Sequence, residues 1–146
     1  MTLLMDSQTT EVLSVVCAVL MVVFLVFRRA AGGKYLDELI SRSKSQKLID
    51  RLTPPQITTH LWVTRVLDTA FPTCYGLWLA SIILRSTGSD RLWFLLPIVL
   101  AVIADYLENW SHVTALKTKE VPRSKTIYSI SKWVCLFLTI PLILFS

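Results

Sequence analysis

Residues 92–116, LWFLLPIVLAVIADYLENWSHVTAL, decide how the rest of the chain is read. As a helix the run is long enough to cross a hydrocarbon core about 30 Å thick. Its second half nevertheless carries Asp105, Glu108, Asn109 and His112. Ionisable groups are costly in lipid and need a partner, a proton, a bound cation or water. Neighbouring segments must therefore supply that compensation.

Three further apolar blocks accompany this one. A mean hydropathy of +0.58 and 53% hydrophobic residues lie outside the range of soluble domains. The expected fold class is all-α: a four-transmembrane-helix bundle forming one integral membrane domain over 1–146, with spans at about 12–29, 58–85, 92–116 and 126–145. Arg28 and Arg29 follow the first apolar block, the reverse of a secretory signal, and no small-residue cleavage site is evident. The first span is thus expected to be uncleaved, its short length completed by snorkelling arginines or by Ala30 and Ala31.

Residues 34–52 set Leu36, Leu39, Ile40, Leu48, Ile49 and Leu52 against Asp37, Arg42, Lys44 and Lys47 at roughly helical spacing. This predicts an interfacial amphipathic helix between the first and second spans, with a basic loop as the alternative. Thr53-Pro54-Pro55-Gln56 matches a capping box with proline at the first helical position, so the second long helix starts there. Residues 85–91 read as a short turn joining antiparallel neighbours. Pro72, inside the second span, frees the carbonyl of Asp68, whereas Pro97 and Pro141 read as kinks.

The net charge is +5, but the basic residues sit between apolar blocks and are not interleaved with aromatics, which argues against a nucleic-acid partner. Seven Lys or Arg fall within 28–51 and four within 117–125, against Arg85 and Arg91 in the opposite loop. The positive-inside rule then puts both termini of this multi-pass protein on the non-cytoplasmic side. The expected partners are the lipid bilayer and other membrane proteins or a second copy. Cys17, Cys74 and Cys135 lie in apolar segments without metal-binding or disulfide spacing and read as core residues.

Helix rise brings the polar groups of three spans to one level. Arg65 and Asp68 fall roughly 6 and 10 Å inside the second span, His112, Glu108 and Asp105 about 6, 12 and 16 Å inside the third, and Lys132 about 9 Å inside the fourth. Faces agree too. Arg65, Asp68, Pro72 and Tyr75 share a stripe, as do Asp105, Glu108, Asn109 and His112, and then Tyr128, Lys132, Cys135 and Thr139. One polar seam follows, in which Arg65 and Lys132 face Asp68, Asp105 and Glu108. The surplus negative charge requires a shared proton, a charged His112 or a cation.

Four uses of such a seam compete. It can be structural glue between helices. It can be a catalytic site on a lipid or isoprenoid substrate, with Asp68, Asp105, Glu108 and His112 as the candidate catalytic groups and Arg65, Tyr75, Asn109 and Lys132 as binding groups. It can be an ion path, or a metal site from Asp105, Glu108, His112 and Asp68. The paired Glu-x-x-His of di-iron bundles is absent, so no metal is assigned. No cofactor can be named, and no Gly-rich phosphate loop, Gly-x-Ser-x-Gly or His-Glu-x-x-His occurs. Glue should put the side chains in direct contact. An enzyme should show a cavity bounded by Asp68, Asp105, Glu108 and Lys132. The reading preferred is a small subunit or interaction partner in a membrane assembly, with the embedded enzyme as runner-up.

Leu67-Asp68-Thr69-Ala70-Phe71-Pro72-Thr73-Cys74-Tyr75-Gly76, then Asp105-Tyr106-Leu107-Glu108-Asn109, then Lys132-Trp133 together resemble a pattern in small four-helix membrane proteins of microbes. The resemblance runs from about residue 35 onward. It implies that fold and this choice of residues, and, since that group has no assigned activity, it implies no reaction.

Overall fold

The computed structural model describes residues 6–87 and 89–144, with the backbone alone at 89–91. The described residues are all-helical, 82% in helices, with no strand. In chain order the helices are α1 (Ser7–Arg28), α2 (Arg42–Ile49), α3 (Pro54–Thr87), a 3-10 segment (Ser89–Leu95), α4 (Leu96–Thr118) and α5 (Lys125–Leu144). Four stretches are long and apolar enough to cross a membrane: α1, α3, Leu92–Thr118 and α5. That is the pattern of a multi-pass membrane protein.

Several boundaries differ from expectation, each for a local reason. α1 begins at Ser7 because Asp6 caps it, its carboxylate accepting from the Gln8 N–H at 3.4 Å. Its 22 residues reach about 33 Å, so Ala30 and Ala31, which lie in the following turn, are not needed to complete the span. α3 starts at the predicted cap, where the Thr53 N–H donates to Gln56 Oε1 at 2.9 Å. Pro97 is no mid-helix kink. It stands in the first turn of α4, where its missing N–H would have had no partner anyway. Phe145, at the end of the fourth expected span, lies outside the described residues.

The segment 34–52 departs most. Only Arg42–Ile49 is helical, and 34–41 forms turns and irregular chain after Gly32 and Gly33, both at positive φ (+88° and +85°). Tertiary contacts hold this path. Tyr35 OH donates to the Phe24 carbonyl at 2.6 Å, Arg28 pairs with Glu38 at 2.8 Å, and the Leu39 carbonyl accepts from Lys125. α2 lies across the end of the α4–α5 pair. Arg42 Nε donates to the Val121 carbonyl at 2.7 Å and Gln46 exchanges bonds with Lys119 O and Val121 N. Beneath it Leu36, Ile49, Leu52, Ala115, Leu116 and Val121 form one buried cluster.

α1 packs on α3 through Leu20, Val23, Phe24 and Phe27 against Val63 and Leu67, and its one buried residue is Cys17. α3 packs on α4, and α4 on α5. Gly76 sets how closely α3 and α4 approach. A Cβ built there would stand 2.7 Å from Val102 Cγ2, the methyl of a stiff β-branched side chain. Gly76→Ala is therefore expected to lower stability by about 1–3 kcal/mol despite its better helix propensity. Thermal unfolding in mild detergent measures this, and Gly76→Ala with Val102→Ala should recover most of the loss.

Candidate functional site

The site grows from the buried faces of α4 and α5. On α4, Ala101, Ala104, Asp105, Glu108, Ser111, His112 and Ala115 recur at helical spacing and point inward. On α5 the inward stripe is Lys125, Ser129, Lys132 and Thr139, a spacing of 4, 3 and 7 that keeps one face toward α4. Tyr128 and Cys135, expected on that stripe, are only partly buried, because the contact face lies one residue round from them.

Glu108 is fully buried and sits between both lysines. Its Oε1 accepts from Ser129 Oγ and lies 3.2 Å from Lys125 Nζ, while Oε2 lies 2.7 Å from Lys132 Nζ. Lys132, 3% exposed, also reaches Asp37 Oδ1 at 2.5 Å and Asp105 Oδ1 at 3.4 Å. The other Asp105 oxygen accepts from Tyr75 OH at 2.9 Å. His112 Nε2 stands 3.7 Å from Glu108 Oε1, beyond a hydrogen bond, and neither ring nitrogen has a hydrogen-bond partner among the described residues. Asp37 lies in the turn segment outside the spans. Burial alone would push its carboxyl up, but the surrounding positive charge taken together, Lys132 first, outweighs that and holds it below the usual carboxylate range.

Of the residues anticipated from sequence, the structure brings Asp105, Glu108, His112, Lys132 and Tyr75 together. Asn109 Nδ2 donates at 2.6 Å to the Asp68 carbonyl, the one whose helical partner Pro72 removes. The Asp68 carboxyl lines the open side of the seam. Arg65 does not join. It is exposed on a groove between α3 and α4, since the roughly 60° of helix between it and Asp68 falls on the side away from Asp105 and Lys132. The anticipated pairing of Arg65 with these acids is corrected accordingly, and Lys125 supplies the second positive charge.

Sequence reasoning missed Asp37, Lys125 and Ser129. The pattern 125, 129, 132 on α5 was a signal for two of them. Asp37 had none, since its partner is Lys132, 95 residues further on.

Asp37, Asp105 and Glu108 each offer an oxygen within 4.8 Å of the others, a donor set that suits a hard cation. The Lys132 ammonium already lies at the point where the three converge, and a metal would have to displace it. Beside this closed cluster a cavity of about 240 Å³ is lined by Asp68, Asp105, Lys132, Tyr75, Phe71 and Trp133. A second, also about 240 Å³, shares Asp37, Asp68 and Phe71 and extends to Met21, Phe24 and Leu25 of α1. The two form a groove over α3, between α1 and α5. Glu108 lines neither. Comparison with family models, with curated proteins and with solved structures found no match for this chain.

Proposed function

We propose that this chain is a small polytopic subunit or interaction partner in a membrane assembly: a four-span bundle with α2 at the interface, its basic end cytoplasmic and both termini on the other side. The single observation that carries the reading is the division of the polar seam. Its inner half is paired within itself, Glu108 with Lys125, Ser129 and Lys132, and Lys132 with Asp37 and Asp105, so these groups serve cohesion between helices. Its outer half leaves Asp68 on a groove that opens sideways toward lipid. Four carboxyl groups, Asp37, Asp68, Asp105 and Glu108, face two ammonium groups there. That formal imbalance favours a partner helix bringing a basic or hydrogen-donating side chain.

The experiment is direct extraction into lipid nanodiscs followed by intact-complex mass spectrometry of the natural chain and of Asp68→Asn. The natural chain should carry a stoichiometric protein partner or a second copy. A polar contact between membrane helices is worth roughly 0.6–2 kcal/mol, so occupancy should fall about 3- to 30-fold in the variant while the monomer stays folded. A lone monomer from the natural chain, or occupancy unmoved by Asp68→Asn, overturns the reading.

The alternative, a membrane-embedded enzyme acting on a lipid or isoprenoid-type substrate, is favoured by the cavity beside Asp68, Asp105 and Lys132. One fact weighs against it: Glu108, the most buried carboxylate of the seam, lines neither lobe of the groove.

A further inference from the structure

On a different side of α3, with Arg65 roughly 60° round from Asp68, a second groove runs between α3 and α4. Its polar lobe encloses about 460 Å³ and is lined by Arg65, Lys117, Trp110, Tyr106 and Asn109, with no acidic side chain among its lining residues. Tyr106 is shared with an apolar lobe of about 390 Å³ formed beside Gly76, Leu77, Val99 and Val102. Each lobe falls within the range that holds a small organic ligand. The geometry points to an anionic glycerophospholipid bound along this groove, its phosphate between Arg65 and Lys117 and an acyl chain in the apolar lobe.

Four observations carry the assignment. First, the charge is complementary and unspent: Arg65 and Lys117 are exposed, and neither enters any of the ion pairs found among the described residues. The Thr69 and Thr114 hydroxyls in the wall donate to backbone carbonyls instead, leaving the cations as the donors for a phosphate. Second, the depth is right. Arg65 and Arg85 stand twenty residues apart on one continuous helix, roughly 30 Å, so they bracket the hydrocarbon core and set Arg65 at headgroup level.

Third, Trp110, 76% exposed, projects from the same lobe, where an amphipathic indole suits the boundary between headgroups and chains. Fourth, Asn109 is 5% exposed, its Nδ2 is committed to Asp68 O, and its Oδ1 has no partner among the described residues. An acceptor beside two cations fits a headgroup hydroxyl, as in a glycerol headgroup. Basic pockets between transmembrane helices hold anionic lipid in this way. The site is independent of the Asp68 groove and of any protein partner.

The test uses the full chain in mild detergent and native mass spectrometry with phosphatidylglycerol and phosphatidylcholine of identical chains. The natural chain should retain one phosphatidylglycerol in preference to phosphatidylcholine. Removing the cations one at a time, Arg65→Gln and then Lys117→Gln, should cut the preference about fivefold at each step, while Lys44→Gln with Lys47→Gln leaves it intact. Val99→Trp should fill the apolar lobe and lower retention of both lipids. Circular dichroism and melting of each variant report the fold. Equal retention of the two lipids by the natural chain, a preference that survives the loss of both cations, or retention unmoved by Val99→Trp in a folded protein overturns the proposal.

Discussion

Lys132→Met is expected to cost about 3–5 kcal/mol, the range for removing one partner from a buried ionic cluster. Methionine matches the lysine stem in length and packs well in an apolar site, so the loss isolates the charge. Without Nζ, the Asp37, Asp105 and Glu108 oxygens that now converge on it are left close together with no ammonium between them. Against a total stability of roughly 5–15 kcal/mol, the loss is large enough to deplete the folded protein. Unfolding by SDS in mixed micelles, followed by circular dichroism, measures it. Neutralising two of the acids as well, in Lys132→Met with Asp105→Asn and Glu108→Gln, should recover at least half. A Lys132→Met protein as stable as the natural one would mean that this cluster does not hold α4 and α5 together.

Glu108→Gln ranks second, at about 3 kcal/mol, the low end of the same range. The amide keeps an acceptor for Ser129 Oγ but removes the charge facing both Lys125 and Lys132. Lys132 retains Asp37 and Asp105, and Lys125 retains the Leu39 carbonyl, which keeps the cost below that of losing Lys132. The two substitutions share a contact, so their combined cost should fall short of the sum by 0.5–3 kcal/mol. Strict additivity would show that the 2.7 Å contact between Glu108 and Lys132 is energetically idle.

These two expectations also bear on function. If the inner cluster holds the bundle together, substitutions there report on folding first, and loss of any activity says little about chemistry. Asp68, on the groove, and Arg65 with Lys117, on the other face, can be changed without opening that cluster. They are the positions at which partner binding and lipid binding separate from stability.

The sequence by itself determined four apolar helices, the capped start of α3 and the polar face of α4. Each is written in contacts three or four residues apart or in a cap of one turn, so each can be read without knowing what lies opposite. The pairing of Asn109 with the Asp68 carbonyl was half legible, because Pro72 declares a freed carbonyl while its donor comes from another helix. Tertiary structure decided the rest. Asp37 enters the seam because the Gly32-Gly33 turn carries its segment under the bundle, and Lys125 turns inward because its register on α5 continues that of Ser129 and Lys132. Arg65 is left outside for the converse reason: only the packing of α4 and α5 defines which sixth of the α3 circumference is the inside. Helical periodicity specifies relative angle along one rod, and the partner that gives that angle a meaning is fixed by contacts distant in sequence, from Glu108 with Ser129, 21 residues apart, to Asp37 with Lys132, 95 apart.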